Sequence, residues 1–199
     1  MAINLQKGQS ISLKKQDPKL EAVMCGLGWD VAKNRGGLGS LLFGTSDFDL
    51  DGSVLCLNKS GKLTTKQNVI FFGNLRHNSG AIKHLGDNLT GEGKGDDEQI
   101  LVDLNQLPSN INKLIFVVNI YQALQRKQDF SKVENAFVRL VNLTNQKEIA
   151  RYSLSGNGYE GKTAMIMAEI SRQNDDWKMT AIGKGLNLPS LEHIIKSYL

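Results

Sequence analysis

Apolar residues in this chain recur at every second position over short spans, and the 3.6-residue period of a helix is nearly absent. That pattern is the strongest constraint on its fold. An extended backbone sends successive side chains to opposite faces, so a period of two gives strands with one apolar face that must be buried against another sheet. Such spans fall at residues 2–6, 9–13, 20–28, 52–58, 67–73, 99–104, 113–121, 135–143, 148–154, 163–171 and 177–183. Gly, Asn, Asp or Ser bound most of them, as turn chemistry requires. Asn174 to Lys178 (NDDWK) reads as a hairpin turn between two of these strands. Only two segments read as helical: DFSKVENAF from Asp129, with Asp129 or Ser131 as cap, and PSLEHIIKSYL from Pro189, where Leu191, Ile194, Ile195 and Tyr198 share one face. The expected fold is all-β, an antiparallel β-sandwich with a few short helices and a C-terminal helix. One domain is expected to span residues 1–199, a length that supports a single core without disulfides.

Other classes are disfavoured. No apolar run approaches the roughly 20 residues of a membrane-spanning helix. MAINLQKGQSISLKK lacks the long apolar stretch of a secretory signal. Cys25 and Cys56 lie in apolar alternating stretches, far from a second Cys or His at ligand spacing, and are expected to be buried free thiols in a reducing cytoplasm.

Net charge is +4, but its distribution is uneven. Residues 47–51 (DFDLD) and 87–98 (DNLTGEGKGDDE) hold eight carboxylates and one Lys, a local charge of −7; the other 23 cations and 12 acids leave +11. Asp47, Asp49 and Asp51 have the spacing that opens an EF-hand loop, followed by Gly52, which reads as the residue permitting a sharp turn. The EF-hand itself is absent, since its twelfth position is Asn58 and SVLCLN reads as a strand. With Phe48 and Leu50 turned to the core, all three carboxylates would face one side and repel unless a cation neutralises them. The second cluster, Asp87 to Glu98, interleaves its acids with glycines that let carbonyl oxygens join a calcium shell. The clusters are expected at opposite ends of adjacent strands. A Walker phosphate loop is excluded, because Gly95 follows Lys94 where Ser or Thr is required.

The stretch HLGDNLTGEGKGDDEQILVDL closely resembles the signature of TerD-type tellurium-resistance and stress-response proteins. Gly26-Leu27-Gly28-Trp29-Asp30, FDLDGSV, NAFVRLVN, TAMIMAEI and WKMTAIGKG agree in order, so the resemblance covers essentially the whole chain. It implies a β-sandwich that binds calcium, two ions being expected, at one end. Matched motif positions assign Asp47, Asp49, Asp51, Asp87, Asn88, Asp96, Asp97 and Glu98 as metal ligands, with Glu92 in the same loop. The chain departs from the family pattern in NRGGLGSLLFGTSDF and in Lys94, where an acid is often seen. The resemblance further implies tellurite and stress resistance and partners encoded in the same operon; the missing signal and the cysteines give the expectation of a cytoplasmic location, and the uneven charge that of peripheral contact at the inner membrane.

Two bound calcium ions would take the local charge from −7 to −3, a switch that favours docking to an anionic membrane surface. The rival function is a metal-dependent phosphoester hydrolase using the same carboxylates, with His77 and His84 as acid or base. Neither histidine has metal-ligand spacing, and an all-oxygen donor set suits calcium, so no catalytic residue is assigned and the chain is expected not to be an enzyme. His77 reads as a loop surface residue and His84 as a packing or hydrogen-bonding partner where the acidic loop begins. Nucleic-acid binding is not expected, because the Lys and Arg are scattered apart from Lys14-Lys15 and Arg126-Lys127. Trp29 and Trp177 are expected in or beside the core.

Overall fold

A computed structural model describes residues 2–31, 48–86, 95–154 and 158–199. In chain order its elements are β1 (Ile3–Asn4), β2 (Ser10–Ser12), α1 (Leu13–Gln16), β3 (Ala22–Val31), β4 (Leu50–Leu57), β5 (Val69–Ile70), β6 (Ile82–His84), β7 (Glu98–Asp103), β8 (Lys113–Ile120), α2 (Ala123–Arg126), β9 (Val133–Asn142), β10 (Glu148–Ser153), β11 (Ala164–Gln173), β12 (Asp176–Leu186) and α3 (Leu191–Lys196). They form two six-stranded sheets, ordered β1-β10-β9-β3-β7-β6 and β2-β12-β11-β8-β4-β5. The sandwich is antiparallel throughout its named strand pairs except at one margin, where β1 runs parallel to β10.

Alternation fills the space between the sheets. Val23, Cys25, Leu27 and Trp29 of β3 meet Val54 and Cys56 of β4 and Leu114, Phe116, Val118 and Ile120 of β8 in one buried cluster. Both cysteines are free, and burial pushes both thiols well above the ordinary range, which removes the reactive thiolate. Trp29 and Trp177 are buried as expected.

The other face of the second sheet is also covered. Leu55, Leu57, Ile115, Val117 and Ile166 point outward beneath α3, which delivers a fully buried Ile194 flanked by Leu191, Ile195 and Tyr198. The expected helical face therefore does pack. Burying Ile194 contributes on the order of 1.5–3 kcal/mol, enough to hold a six-residue helix that is far too short to be stable alone.

Several local expectations are corrected. DFSKVENAF is not a helix: Asp129 caps only a 3₁₀ turn, Phe130–Lys132, by accepting from Ser131 N–H, and the chain then enters β9. Phe130, Val133 and Phe137 mimic helical spacing, but Ala136, Val138 and Leu140 follow the period of two that reaches the core. Residues 67–73 contribute a 3₁₀ turn, Lys66–Asn68, and a two-residue β5. Helix α2 and strand β6 form where the sequence gives no expectation of an element, and α1 starts at Leu13, the last residue of the expected strand 9–13. Hairpin β11–β12 turns at Asn174 and Asp175, Asn174 taking φ +53°, and Asp176 and Trp177 already belong to β12.

Candidate functional site

Strand β4 begins where the first acidic cluster ends. Phe48 packs against the core and Leu50 is buried in it, so Asp49 and Asp51 emerge on the opposite side, as alternation requires. Strand pairing extends past β8, because Tyr121 N–H donates to Asp49 O at 2.7 Å. Asp49 reaches Arg126 of α2 at 3.9 Å, and Asp51 faces Asn119 of β8 in register. Asp47 lies outside the described residues.

Asn119 carries the most informative contact. Its Nδ2 donates to Asp51 Oδ2 at 3.3 Å, and its buried Oδ1 has no hydrogen-bond donor among the described residues. An orphaned carbonyl oxygen costs about 1–3 kcal/mol unless something else satisfies it. Beside a buried carboxylate, a hard cation is a fitting partner, since Asp and Asn oxygens are its preferred ligands. Sequence reasoning missed this residue, although an Asn inside the otherwise apolar LIFVVNI of β8 was the available signal.

Gly52 follows, and its role differs from the expected turn. It sits inside β4, paired with Val118, and is absent from the glycines with positive φ. A Cβ there would collide with Glu98 Oε2, so glycine is required by close approach. Gly52 N–H donates to that oxygen at 2.6 Å. This bond joins the two acidic segments at the same end of the sandwich, which corrects the expectation of opposite ends. The physical reason is the path: β4 runs away from this end, the β5–β6 segment returns to it, and β7 starts there beside His84.

The three consecutive acids at the start of β7 take separate partners: Asp96 and Asp97 precede the strand and Glu98 is its first residue, so Asp96 does not share the face that strict alternation would give it with Glu98. Asp96 turns to the outer face of the first sheet, lying over Gly26, where Arg139 Nε and a second guanidinium nitrogen grip its carboxylate at 2.6 and 2.9 Å. Asp97 accepts from Trp29 N–H at 2.7 Å. Burial pushes its carboxyl above the usual range; the Trp29 N–H draws it back, while the charges of Asp30 and Asp96 push it further up. Glu98 turns inward, nearly fully buried. His84 Nδ1 accepts from Gly86 N–H at 3.1 Å, so Nε2 carries the hydrogen and faces Glu98 Oε2 at 3.2 Å and Gly52 O at 3.3 Å. Asp87, Asn88 and Glu92 lie outside the described residues. Among the described residues, no three His, Cys, Asp or Glu side chains converge on one metal position.

The expected role of His84 as a hydrogen-bonding partner is observed. His77, expected at the surface, is instead buried: its Nδ1 lies 2.8 Å from Ser79 Oγ and accepts from Ser79 N–H, and its Nε2 lies 3.2 Å from Asn68 Oδ1. Desolvation lowers its pKa.

The TerD domain matches residues 1–198. The chain is 50% identical over 201 residues to "Stress response protein SCP2" of Bacillus subtilis (strain 168), covering 100% of both chains. It is 43% identical over 185 residues to "Tellurium resistance protein TerD" of Serratia marcescens, covering 93% of this chain and 91% of that protein. A crystal structure of a homologue of telluride resistance protein (TerD) from Streptomyces coelicolor A3(2) superposes with a TM-score of 0.62 at 22% identity, covering 87% of this chain and 94% of that one, a likeness of fold. No helix of the described residues is long and apolar enough to cross a membrane.

Proposed function

This chain belongs to the TerD family of tellurium-resistance and stress-response proteins, and on that premise we propose that it is a non-catalytic, calcium-binding module acting through other proteins of the same resistance system. The observation that carries this reading is the orphaned, buried Asn119 Oδ1 beside Asp51. Asp49, Asp51 and Asn119 offer oxygen donors on one side of β4 and β8, and the family resemblance adds Asp47, Asp87 and Asn88 as ligands. Asp96, Asp97 and Glu98 shape the same acidic end while held by Arg139, Trp29 and Gly52. Bound calcium would supply charge neutralisation there. The protein's own residues supply the frame: Phe48 and Leu50 anchor the strand, and the Gly52–Glu98 bond fixes the two acidic segments against each other.

A phosphoester hydrolase would need an acid or base beside the metal. His84 is turned onto Glu98 inside the sandwich and His77 is engaged by Ser79 and Asn68, which favours the binding reading. Calcium titration by calorimetry is the test. The expected result is saturable binding by the wild-type chain and a loss of affinity of about tenfold or more in Asp49→Ala; no heat in the wild type would refute the proposal. Phosphodiesterase turnover with magnesium or manganese, abolished by Asp96→Ala, would establish the enzyme instead.

A further inference from the structure

One side of the sandwich is closed by the chain that links β5 and β6, the outermost strands of the two sheets. Leu75 to His77 pairs with β6: His84 N–H donates to Leu75 O at 2.9 Å, Arg76 bridges Lys83, and His77 N–H donates to Ile82 O at 3.0 Å. A tight turn from His77 to Gly80 makes the reversal, with Gly80 at φ +79° and its N–H donating to His77 O at 2.8 Å. This hairpin belongs to the first sheet. The 3₁₀ turn Lys66–Asn68 leads directly into β5 of the second.

The buried ring of His77 ties the hairpin to that turn. Its Nδ1 accepts from Ser79 N–H at 3.1 Å, which places the hydrogen of the neutral ring on Nε2, and Nε2 donates to Asn68 Oδ1 at 3.2 Å. The chain of bonds continues on both sides. Ala81 N–H donates to Ser79 Oγ at 3.2 Å, Ser79 Oγ donates to Nδ1 at 2.8 Å, and Asn68 Nδ2 donates to Thr64 Oγ1 at 3.1 Å. These donors all keep their acceptors only while Nδ1 keeps its lone pair.

A proton on Nδ1 sets the ring N–H against Ser79 N–H. The charged side chains on the described elements that hold the ring are Lys66, Arg76 and Lys83, all cations, which do not favour another positive charge. Asp103, whose N–H donates to Ala81 O, has its carboxylate engaged by Asn105 and Gln106. Desolvation disfavours the charged ring as well.

We propose that His77 is an acid-sensitive clasp, separate from the acidic end: a proton taken up by the ring releases the 71–81 segment from the Lys66–Asn68 turn and opens this side of the sandwich. Release uncovers the outer edge of β6, where backbone groups now paired with Leu75 and His77 become available to another strand. A histidine that binds its proton less tightly folded than unfolded contributes stability that is complete above the unfolded value near about 6.5 and is lost as pH falls below it. The clasp is therefore closed at neutral pH and opens in mild acid.

The experiment is amide hydrogen exchange followed by NMR at neutral pH and at about pH 5.5, on the wild-type chain and on His77→Gln, with rates corrected for intrinsic exchange. The ring nitrogens of the wild type are titrated in parallel. The expected result is a His77 ring bare at Nδ1 at neutral pH, and protection of the Ala81 and His84 amides that falls about tenfold or more in acid while β3 and β8 keep theirs. His77→Gln has no ring to titrate, so protection of those two amides, whatever its level, should be the same at both pH values. Unchanged protection in the wild type, an equal loss in His77→Gln, or a loss spread evenly over β3 and β8 would each overturn the clasp. Two outcomes in the wild type alone would also overturn it: a proton on Nδ1 at neutral pH, or a loss of protection that follows the titration of His84 or His193 in place of His77.

Discussion

The two acidic segments carry the same kind of charge into two strands at the same end of the sandwich, yet their side chains end up in different places. At the start of β4 the acids alternate with Phe48 and Leu50, so anchoring the apolar residues leaves Asp49 and Asp51 together on one side, near an oxygen that lacks a donor among the described residues. At the start of β7 the acids are consecutive, and the entry into the strand sends them to Arg139 outside, Trp29 N–H, and Gly52 with His84 inside. Alternation keeps Asp49 and Asp51 on one side, whereas Asp96 and Glu98, at the same spacing, part because Asp96 lies ahead of the regular strand. The first segment is read as the ion site and the described part of the second as the latch that holds it.

The comparison is broken most forcefully at Glu98. Glu98→Ala strands Gly52 N–H in the interior and leaves His84 Nε2 with only Gly52 O, and unfolding by urea should show a loss on the order of 3 kcal/mol. A loss below about 1 kcal/mol would remove the latch from the account. Next in size is Asp51→Asn, for which calcium affinity should fall about tenfold or more while stability in EDTA changes by less than about 1 kcal/mol. Asp96→Asn should do the reverse: removing the charge that both Arg139 bonds rely on costs about 1–2 kcal/mol, with calcium affinity changed less than in Asp51→Asn.

The smallest effect concerns Asp97, whose carboxyl is pushed up by burial and by Asp30 and Asp96 against the pull of the Trp29 N–H. A raised carboxyl binds its proton more tightly folded than unfolded, so the ionised form opposes folding above the raised value, and the penalty disappears below the unfolded value near about 3.9. Asp97→Asn keeps an acceptor for Trp29 N–H and should stabilise the protein in EDTA at neutral pH by less than about 1 kcal/mol, a gain that vanishes at acid pH. Denaturation at neutral and acid pH checks the sign; a stability loss at neutral pH would contradict it.

Long alternating runs made the principal strands legible in the sequence: β3, β8, β9 and β12 each place core residues at every second position, and β11 does so on either side of a register shift between Ile166 and Ala168. The face of α3 was legible for the same reason. Elements that depend on distant partners were not. Helix α1 is LKKQ, held by the Ser12 cap and by Asp176, which binds Ser12 Oγ and Lys14 N–H from far along the chain. Strand β6 has three residues, too few to display a period. In the site, alternation correctly set Phe48 and Leu50 against Asp49 and Asp51. Asn119 and Arg139 were missed because each stands among apolar neighbours, VVNI and FVRLV, and only the folded sheets reveal that they face Asp51 and Asp96.

Thermal unfolding of the wild type, Asp51→Asn and Asp96→Asn, each in excess calcium and in EDTA, tests the central contrast most directly. A ligand at about 100 times its Kd stabilises the folded state by about 2.7 kcal/mol, so calcium should raise the Tm of the wild type and of Asp96→Asn by several degrees and leave that of Asp51→Asn nearly unmoved. A calcium shift that survives in Asp51→Asn and disappears in Asp96→Asn would reverse the roles assigned to the two segments.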